Sequence, residues 1–299
     1  MKKKIVEEII IASTGEVIPI FEGGRFNIIN PDQQKIINKS KKEKNRNKEI
    51  IKWNKQFGGF IFILFKYCST INEKHPEMTQ EDITKLFYLA TFVDFDGNLI
   101  YENSFMTRKD MCNLLCIHIT NFDKFFNKMK KFGIFMIDSN KNIQINKEYF
   151  TKGKIEEDLY KIYNYSRLYI DSIQYLFENV PQRSHKYLGN YFKMIPYIHR
   201  QWNFLCWDPE ASEQNIKLMY IKDLKDILNY SKNSINKLID ELVAIKLKNG
   251  DSIVSFWRKD RDIGKSYIII NPMVFYGGNF NIKGGKNSII EWFTPIMFK

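Results

Sequence analysis

The chain has 299 residues, with 44% hydrophobic content and 24 phenylalanines, which gives room for about two domains with real cores. Lys and Arg number 46 against 34 Asp and Glu, for a net charge of +12 and a pI near 9.3, a balance that favours a polyanionic partner. No segment approaches the roughly 18 apolar residues that cross a bilayer, Glu7 and Glu8 interrupt the N-terminal stretch and exclude a signal peptide there, and four cysteines without such a signal fit reduced thiols in a cytosol.

Lys, Asn and Ile are all abundant, as codons of an AT-rich genome would also produce, so the placement of charge says more than its total. Residues 5–20 hold two β-prone runs around Ser13-Thr14-Gly15-Glu16 and are expected to form a hairpin. Residues 35–55 are the most basic segment, with nine Lys and Arg against Glu43 and Glu49. Lys41, Lys42, Lys44 and Arg46 lie at its centre. It reads as a helix or basic arm on a phosphate backbone, the alternative being a solvated helix face. Residues 57–68 are apolar but short, a buried helix or strand. Thr79 followed by Asp82 reads as a capping box opening an amphipathic helix. Residues 94–97 read as a turn.

A stretch beginning MTRKDMCNLL at Met106 returns as MYIKDLKDIL at Met219. The shift is constant at 113, from Asp110 to Asp223, Phe122 to Ile235 and Met129 to Leu242. Each copy reads as a short helix, a turn, a second helix and two extended segments, which is the pattern of a helix-turn-helix with a β-wing. In the first copy Thr107 caps one helix. The next, over residues 120–132, turns Phe122, Phe125, Phe126, Met129 and Phe132 inward at i, i+3, i+4, i+7 spacing. That leaves Thr120, Asn121, Lys124, Asn127, Lys128 and Lys131 outside, with a short wing turn at residues 139–142 that includes Lys141.

Residues 156–180 are expected to be one long connector helix ended by Pro181. With a shift of 105, Leu89, Asn98 and Ile100 match Met194, Asn203 and Leu205, so the aromatic stretch after Pro181 is expected to supply the first helix of a second unit. Residues 219–244 are its helix-turn-helix, with Lys232, Asn233, Ser234, Asn236, Lys237 and Asp240 outside. Its wing is expected to be longer, because Ile145 to Ile270 is a shift of 125, or 12 added residues. These are expected at a hairpin tip carrying Arg258, Lys259, Arg261 and Lys265, where a basic hairpin reaches along or into a groove. The last apolar run, residues 289–298, suits docking or dimerisation.

Little in the chain supports catalysis. Gly264-Lys265-Ser266 ends like a phosphate loop, but residue 259 is Lys where that motif needs glycine. Cys112, Cys116 and His118 are near one another without a fourth ligand at finger-like spacing, with Cys206 distant, and are read as small buried hydrophobes. No His-X-His pair and no paired acidic constellation occurs. No cofactor, metal or catalytic residue is expected.

The words MTRKDMCNLL, FFNKMKKFGIF and IQINKEYFTKG, with IKDLKDIL, INKLIDELVAIKLK and YIIINPMVFYGG, resemble winged-helix domains of plasmid and phage replication initiators of low-GC Gram-positive bacteria. The likeness spans roughly residues 57–280, and Lys147 stands in the first copy where the second has Pro272. Two such domains in one chain is similar to plasmid initiators that bind direct DNA repeats. The resemblance implies double-stranded DNA binding without catalysis, and recruitment of host replication proteins.

The expected architecture is α+β and predominantly helical. It has an N-terminal hairpin and basic arm (1–56), a first winged helix (57–154), a connector (155–182), a second winged helix (183–280) and a tail (281–299). The expected activity is sequence-specific DNA binding in the cytoplasm, as an initiator or as a transcription or partition regulator. A protein–protein scaffold is the alternative of another class. The expected DNA contacts are Thr107, His118, Thr120, Asn121, Lys124, Lys128, Lys131 and Lys141 from the first copy. From the second they are Lys232, Asn233, Ser234, Asn236, Lys237, Arg258, Lys259, Arg261 and Lys265, with Lys41, Lys42, Lys44 and Arg46 from the arm.

Overall fold

A computed structural model describes residues 5–10, 17–21, 32, 35–41, 44, 48, 55, 58–64, 75–153, 165–200, 202–212, 214–258 and 266–277. The chain divides into two compact units, residues 1–50 and 51–299. In the first, β1 (Ile5–Ile10) pairs antiparallel with β2 (Val17–Phe21), with Ile10 opposite Val17. The turn between them lies outside the described residues. Residues 35–41 are helical, and Lys41 and Lys44 are exposed. Lys42 and Arg46 lie outside the described residues.

The second unit is built twice over. Its first half runs β3 (Phe60–Leu64), α1 (Gln80–Ala90), the small hairpin β4 (Ile100–Tyr101) and β5 (Ser104–Phe105), α2 (Arg108–Leu114), α3 (Ile119–Lys131), the hairpin β6 (Phe135–Ile137) and β7 (Ile143–Ile145), and β8 (Phe150–Thr151). Its second half runs β9 (Tyr165–Tyr169), α4 (Ile170–Asn179), α5 (His185–Lys193), α6 (Leu224–Leu228), α7 (Lys232–Ala244), the hairpin β10 (Val254–Arg258) and β11 (Ser266–Ile270), and β12 (Phe275–Tyr276).

The backbone hydrogen bonds repeat with the elements. The Ile145 amide donates to the Gly97 carbonyl at 2.8 Å, and the Ile270 amide to Asn203 at 2.9 Å. Leu99 donates to Ile143 and Leu205 to Ile268, both at 3.0 Å. Asn146 donates to Ile134 and Asn271 to Ile253, both at 2.9 Å. Gly97 and Asn203 also share a left-handed backbone, at φ 87° and 50°. So do Cys116 and Asn229 in the turn between the two helices, at φ 51° and 56°. Glycine and asparagine adopt that region most readily, so Cys116 is the strained member of the four.

The halves meet about an internal two-fold. Strands β8, β3, β9 and β12 form one sheet in that order, with Phe60 opposite Tyr169 and Leu64 opposite Tyr165. Phe60 and Leu64 lie 105 residues before Tyr165 and Tyr169, so the pairing maps onto itself when the halves are exchanged, as in an isologous interface. The flanking pairs obey the same exchange: Ile63 opposes Phe150, and Leu168 opposes Phe275. On the helical side α1 packs on α5. The rings of Phe87 and Phe192, also 105 apart, stack at 4.3 Å and 3°. Phe150 and Phe275 meet Phe87 and Phe192 edge-on at 5.2 and 6.0 Å. The two halves thus share one hydrophobic core.

Three expectations need correction. The long connector helix does not form over its second part: residues 165–169 are strand β9, and only Ile170–Asn179 is helical. Residues 154–164 lie outside the described residues. The Tyr165-Ser166-Arg167-Leu168-Tyr169 run satisfies its backbone against β3, and its aromatic and long side chains pack across strands. Tyr165 meets Phe62 at 4.7 Å, and the Arg167 guanidinium lies over Phe60 at 5.5 Å. Such cross-strand packing outweighs weak helical preference. The apolar run after residue 57, expected as a helix or a strand, is strand β3, and by hydrogen-bond register Asn203 and Leu205 match Gly97 and Leu99, a shift of 106 and not 105. The added residues of the second copy do not all lengthen the wing. Phe135 and Val254 occupy equivalent register positions 119 apart, so half of the addition lies before β10, in a small turn with Lys246 bridged to Ser252.

Two outcomes follow from the α1–α5 contact. A Cβ on Gly189 would lie 2.0 Å from the Gln80 carbonyl oxygen. Gly189→Ala is therefore expected to lower stability by about 1–3 kcal/mol through overpacking, read from the denaturation midpoint. An unchanged or raised midpoint would contradict this close approach. His185 is 7% exposed, its Nε2 lies 3.1 and 3.0 Å from the Phe177 and Val180 carbonyls, and burial holds its pKa below the ordinary value. The unfolded chain then binds this proton more readily, so stability is full above about pH 6.5 and falls as pH drops below it. The melting temperature should decline from pH 7 to 5, and less steeply in His185→Gln. Equal slopes would remove His185 as the source.

Candidate nucleic-acid interface

Helix α2 begins at a capping box. The Asp110 amide donates to the Thr107 hydroxyl at 3.2 Å, and the Thr107 amide donates to the Asp110 carboxylate at 2.8 Å. The Thr107 hydroxyl also donates to that carboxylate at 2.7 Å, and these bonds hold the Asp110 pKa below its usual range. Thr107 is exposed yet occupied as a cap. Helix α3 is capped by His118, whose Nδ1 accepts from the Thr120 amide at 3.3 Å. Its apolar face, Phe122, Phe125, Phe126 and Met129, is at most 2% exposed, as the spacing predicts. The opposite face exposes Thr120, Asn121, Lys124 and Asn127.

The other two lysines expected on this face are committed to the protein itself. The Lys128 ammonium is 2.8 Å from the Asp82 carboxylate and 3.4 Å from the Glu77 carbonyl. Asp82 is buried at the start of α1, where it completes the capping box with Thr79. Lys128 is therefore corrected from an outward contact to a tie between α3 and α1. Lys131 is exposed but pairs with Glu77 at 3.3 Å. Arg108 lies 4.6 Å over the Phe126 ring and is ion-paired with Asp123, so it too is held in place. Lys141 is exposed at the tip of the β6–β7 hairpin, with φ 69°. Asp138 fixes that tip by accepting from the Asn140 and Asn142 amides, both at 2.8 Å.

In the second copy Ser231 caps α7, accepting from the Ser234 amide at 3.3 Å. Ser231 was not singled out by the sequence, although Ser-X-X-Ser before an apolar run was the available signal. The Ser234 hydroxyl is 2.8 Å from that of Ser231, which draws it into the cap. Asn236, Lys237 and Asp240 are exposed. Lys232 and Asn233 lie in the first turn of α7, and Arg258 is the last residue of β10. Lys259, Arg261 and Lys265 lie outside the described residues.

The internal two-fold relates α3 to α7 and hairpin β6–β7 to hairpin β10–β11. Each half therefore offers a polar helix face beside a hairpin. Among the described residues no group of three or more His, Cys, Asp or Glu is placed to hold a metal. Burial pushes the Cys206 thiol up to about 12, far from a reactive thiolate. Among the described residues no helix is long and apolar enough to cross a membrane.

The distinction between the lysines is testable. Lys128→Ala leaves the Asp82 carboxylate without its ammonium partner and should cost about 1–3 kcal/mol of stability, whereas exposed Lys124→Ala should fall within about 0.5 kcal/mol of the parent. Urea denaturation compares them, and equal midpoints would return Lys128 to the surface set. Comparison of the chain with known protein families, curated proteins and solved structures finds no match.

Proposed function

We propose that the second unit is a pair of winged helix-turn-helix modules and that the chain is a sequence-specific, double-stranded DNA-binding protein. The supporting observation is that the exposed polar face of α3, with Thr120, Asn121, Lys124 and Asn127, has a counterpart on α7 in Ser234, Asn236, Lys237 and Asp240, with Lys237 at the position of Lys124. In both copies the helix is followed directly by a hairpin. A helix of this kind fits a major groove, where asparagine reads adenine bidentately and lysine reaches guanine. The hairpin then lies along the flanking backbone. The net charge of +12 supplies the sequence-independent part of the affinity.

The internal two-fold sharpens the reading. Two helices exchanged by a two-fold meet one duplex most simply when their half-sites run in opposite directions. Because α3 and α7 share the Lys124/Lys237 position but carry Ser234 in place of Asn121 and Asp240 in place of Asn127, the two half-sites would differ in sequence. The resemblance to plasmid and phage replication initiators makes origin binding the biological setting, in the cytoplasm, with host replication proteins as partners. A transcription or partition regulator would use the same two faces. Whether the bound DNA supports autonomous replication separates these two roles.

The test is a gel shift on the DNA flanking the coding region across a salt series. Affinity should fall steeply as salt rises, with a slope set by the phosphates neutralised. Lys124→Glu and Lys237→Glu should each weaken binding about tenfold or more. Absence of binding at low salt, or a double variant that binds as tightly as the parent, would refute the reading.

A further inference from the structure

The hairpin of the second copy carries an aromatic face that the first copy lacks. Trp257 and Tyr267 are cross-strand partners on β10 and β11, Tyr220 bridges to Tyr267, and Phe204 bridges to Ile269. Their rings form a chain. Tyr220 stacks on Tyr267 at 4.9 Å and 23°, Tyr267 meets Trp257 at 5.7 Å and 32°, and Trp257 meets Phe204 edge-on at 6.2 Å. The Tyr267 hydroxyl donates to that of Tyr220 at 3.2 Å. The Lys222 ammonium sits 5.2 Å from the Tyr220 ring centre and closes that end. Trp257, between Tyr267 and Phe204, is 48% exposed.

The fold does not require these rings. By hydrogen-bond register, the positions equivalent to Tyr220, Tyr267, Trp257 and Phe204 in the first copy are Thr107, Asn142, Asp138 and Asn98. All four are polar, and each is satisfied by a nearby polar group, Thr107 by Asp110 and the others within the hairpin region. The Asn142 amide and side chain donate to Asp138 at 2.8 and 2.9 Å, and Gln144 donates to Asn98 at 2.8 Å. The same backbone is therefore stable with a hydrogen-bonded polar surface. The second copy instead leaves a large indole face in water.

We propose that this aromatic face, with Trp257 as its exposed ring, holds an unpaired DNA strand by stacking a base on the indole. The inference rests on the DNA-binding reading above and extends it from duplex to single strand. Base faces inside an undistorted duplex are covered by their neighbours, so a flat exposed ring stacks most readily on a base that is unpaired. The charge fits this occupant better than a protein surface. Lys222 flanks the stack, and the sequence running on from Trp257 is RKDRDIGK, with four cations against two carboxylates. Stacking of bases on aromatic rings next to a basic track is the general means of holding single strands, at about 1–3 kcal/mol per base.

The experiment uses the full chain and a labelled oligo-dT of about 15 nucleotides, read by fluorescence anisotropy beside the duplex. The parent should bind oligo-dT in a salt-dependent way. Trp257→Ala should weaken that binding about tenfold, Trp257→Phe should keep most of it, and duplex affinity should change less than about twofold in both. An iodouridine-substituted strand, photo-crosslinked to the unmodified protein, should attach at Trp257 whatever the folding of the variants. Oligo-dT binding unaffected by Trp257→Ala, or crosslinks elsewhere, would overturn the proposal. So would parallel loss of duplex and single-strand affinity, because Trp257 would then belong to the duplex site. If the parent binds duplex but not oligo-dT, only this inference fails. If it binds neither, the DNA-binding reading fails with it.

Discussion

The antiparallel pairing of Phe60–Leu64 with Tyr165–Tyr169 is the contact on which the rest of the second unit depends. It joins two copies of one structural pattern, edge to edge, in a way that maps onto itself when the copies are exchanged. The stacked rings of Phe87 and Phe192 repeat that symmetry on the helical side. An aromatic pair in this geometry is worth about 0.5–1.5 kcal/mol beyond the area it buries. Its position matters more, because it fixes the crossing of α1 and α5 and hence the relation between the two candidate DNA-facing helices. A flexible connector would let each copy search separately. A shared sheet and core carry both faces on one frame.

Much of each copy was legible from spacing alone. The i, i+3, i+4, i+7 phenylalanines of α3 predicted its buried face, and Thr79 with Asp82 and Thr107 with Asp110 predicted two helix starts. These signals are local, so a sequence carries them in full. The repeat was legible too, since apolar positions recur at a fixed shift even where identities change. What escaped the sequence depended on partners far along the chain. Strand β9 looked helical because its neighbours do, and its strand character comes from β3, about a hundred residues earlier. Lys128 lies on the polar side of a helical wheel, and only the fold brings Asp82 to it.

The two copies also differ in ways that spacing does not report. An added stretch can enter at either end of a hairpin, and register alone assigned half of it to the turn before Val254. The aromatic quartet is dispersed over Phe204, Tyr220, Trp257 and Tyr267, so its continuity appears only when three strands are laid side by side. The first copy solves the same surface with an Asp138–Asn142 turn and an Asn98–Gln144 bond. The paired design thus keeps one frame and varies its outer surface, with a polar helix face in the first half and an aromatic hairpin in the second.

On the proposed DNA-binding role, the internal two-fold sets how one chain meets the duplex. The most direct measurement is selection of bound duplexes from a random library, followed by footprinting of one chain on the selected site. The account predicts two unlike half-sites in opposite orientation, both protected by a single chain. A single protected half-site, or two half-sites repeated head to tail in the same orientation, would contradict it.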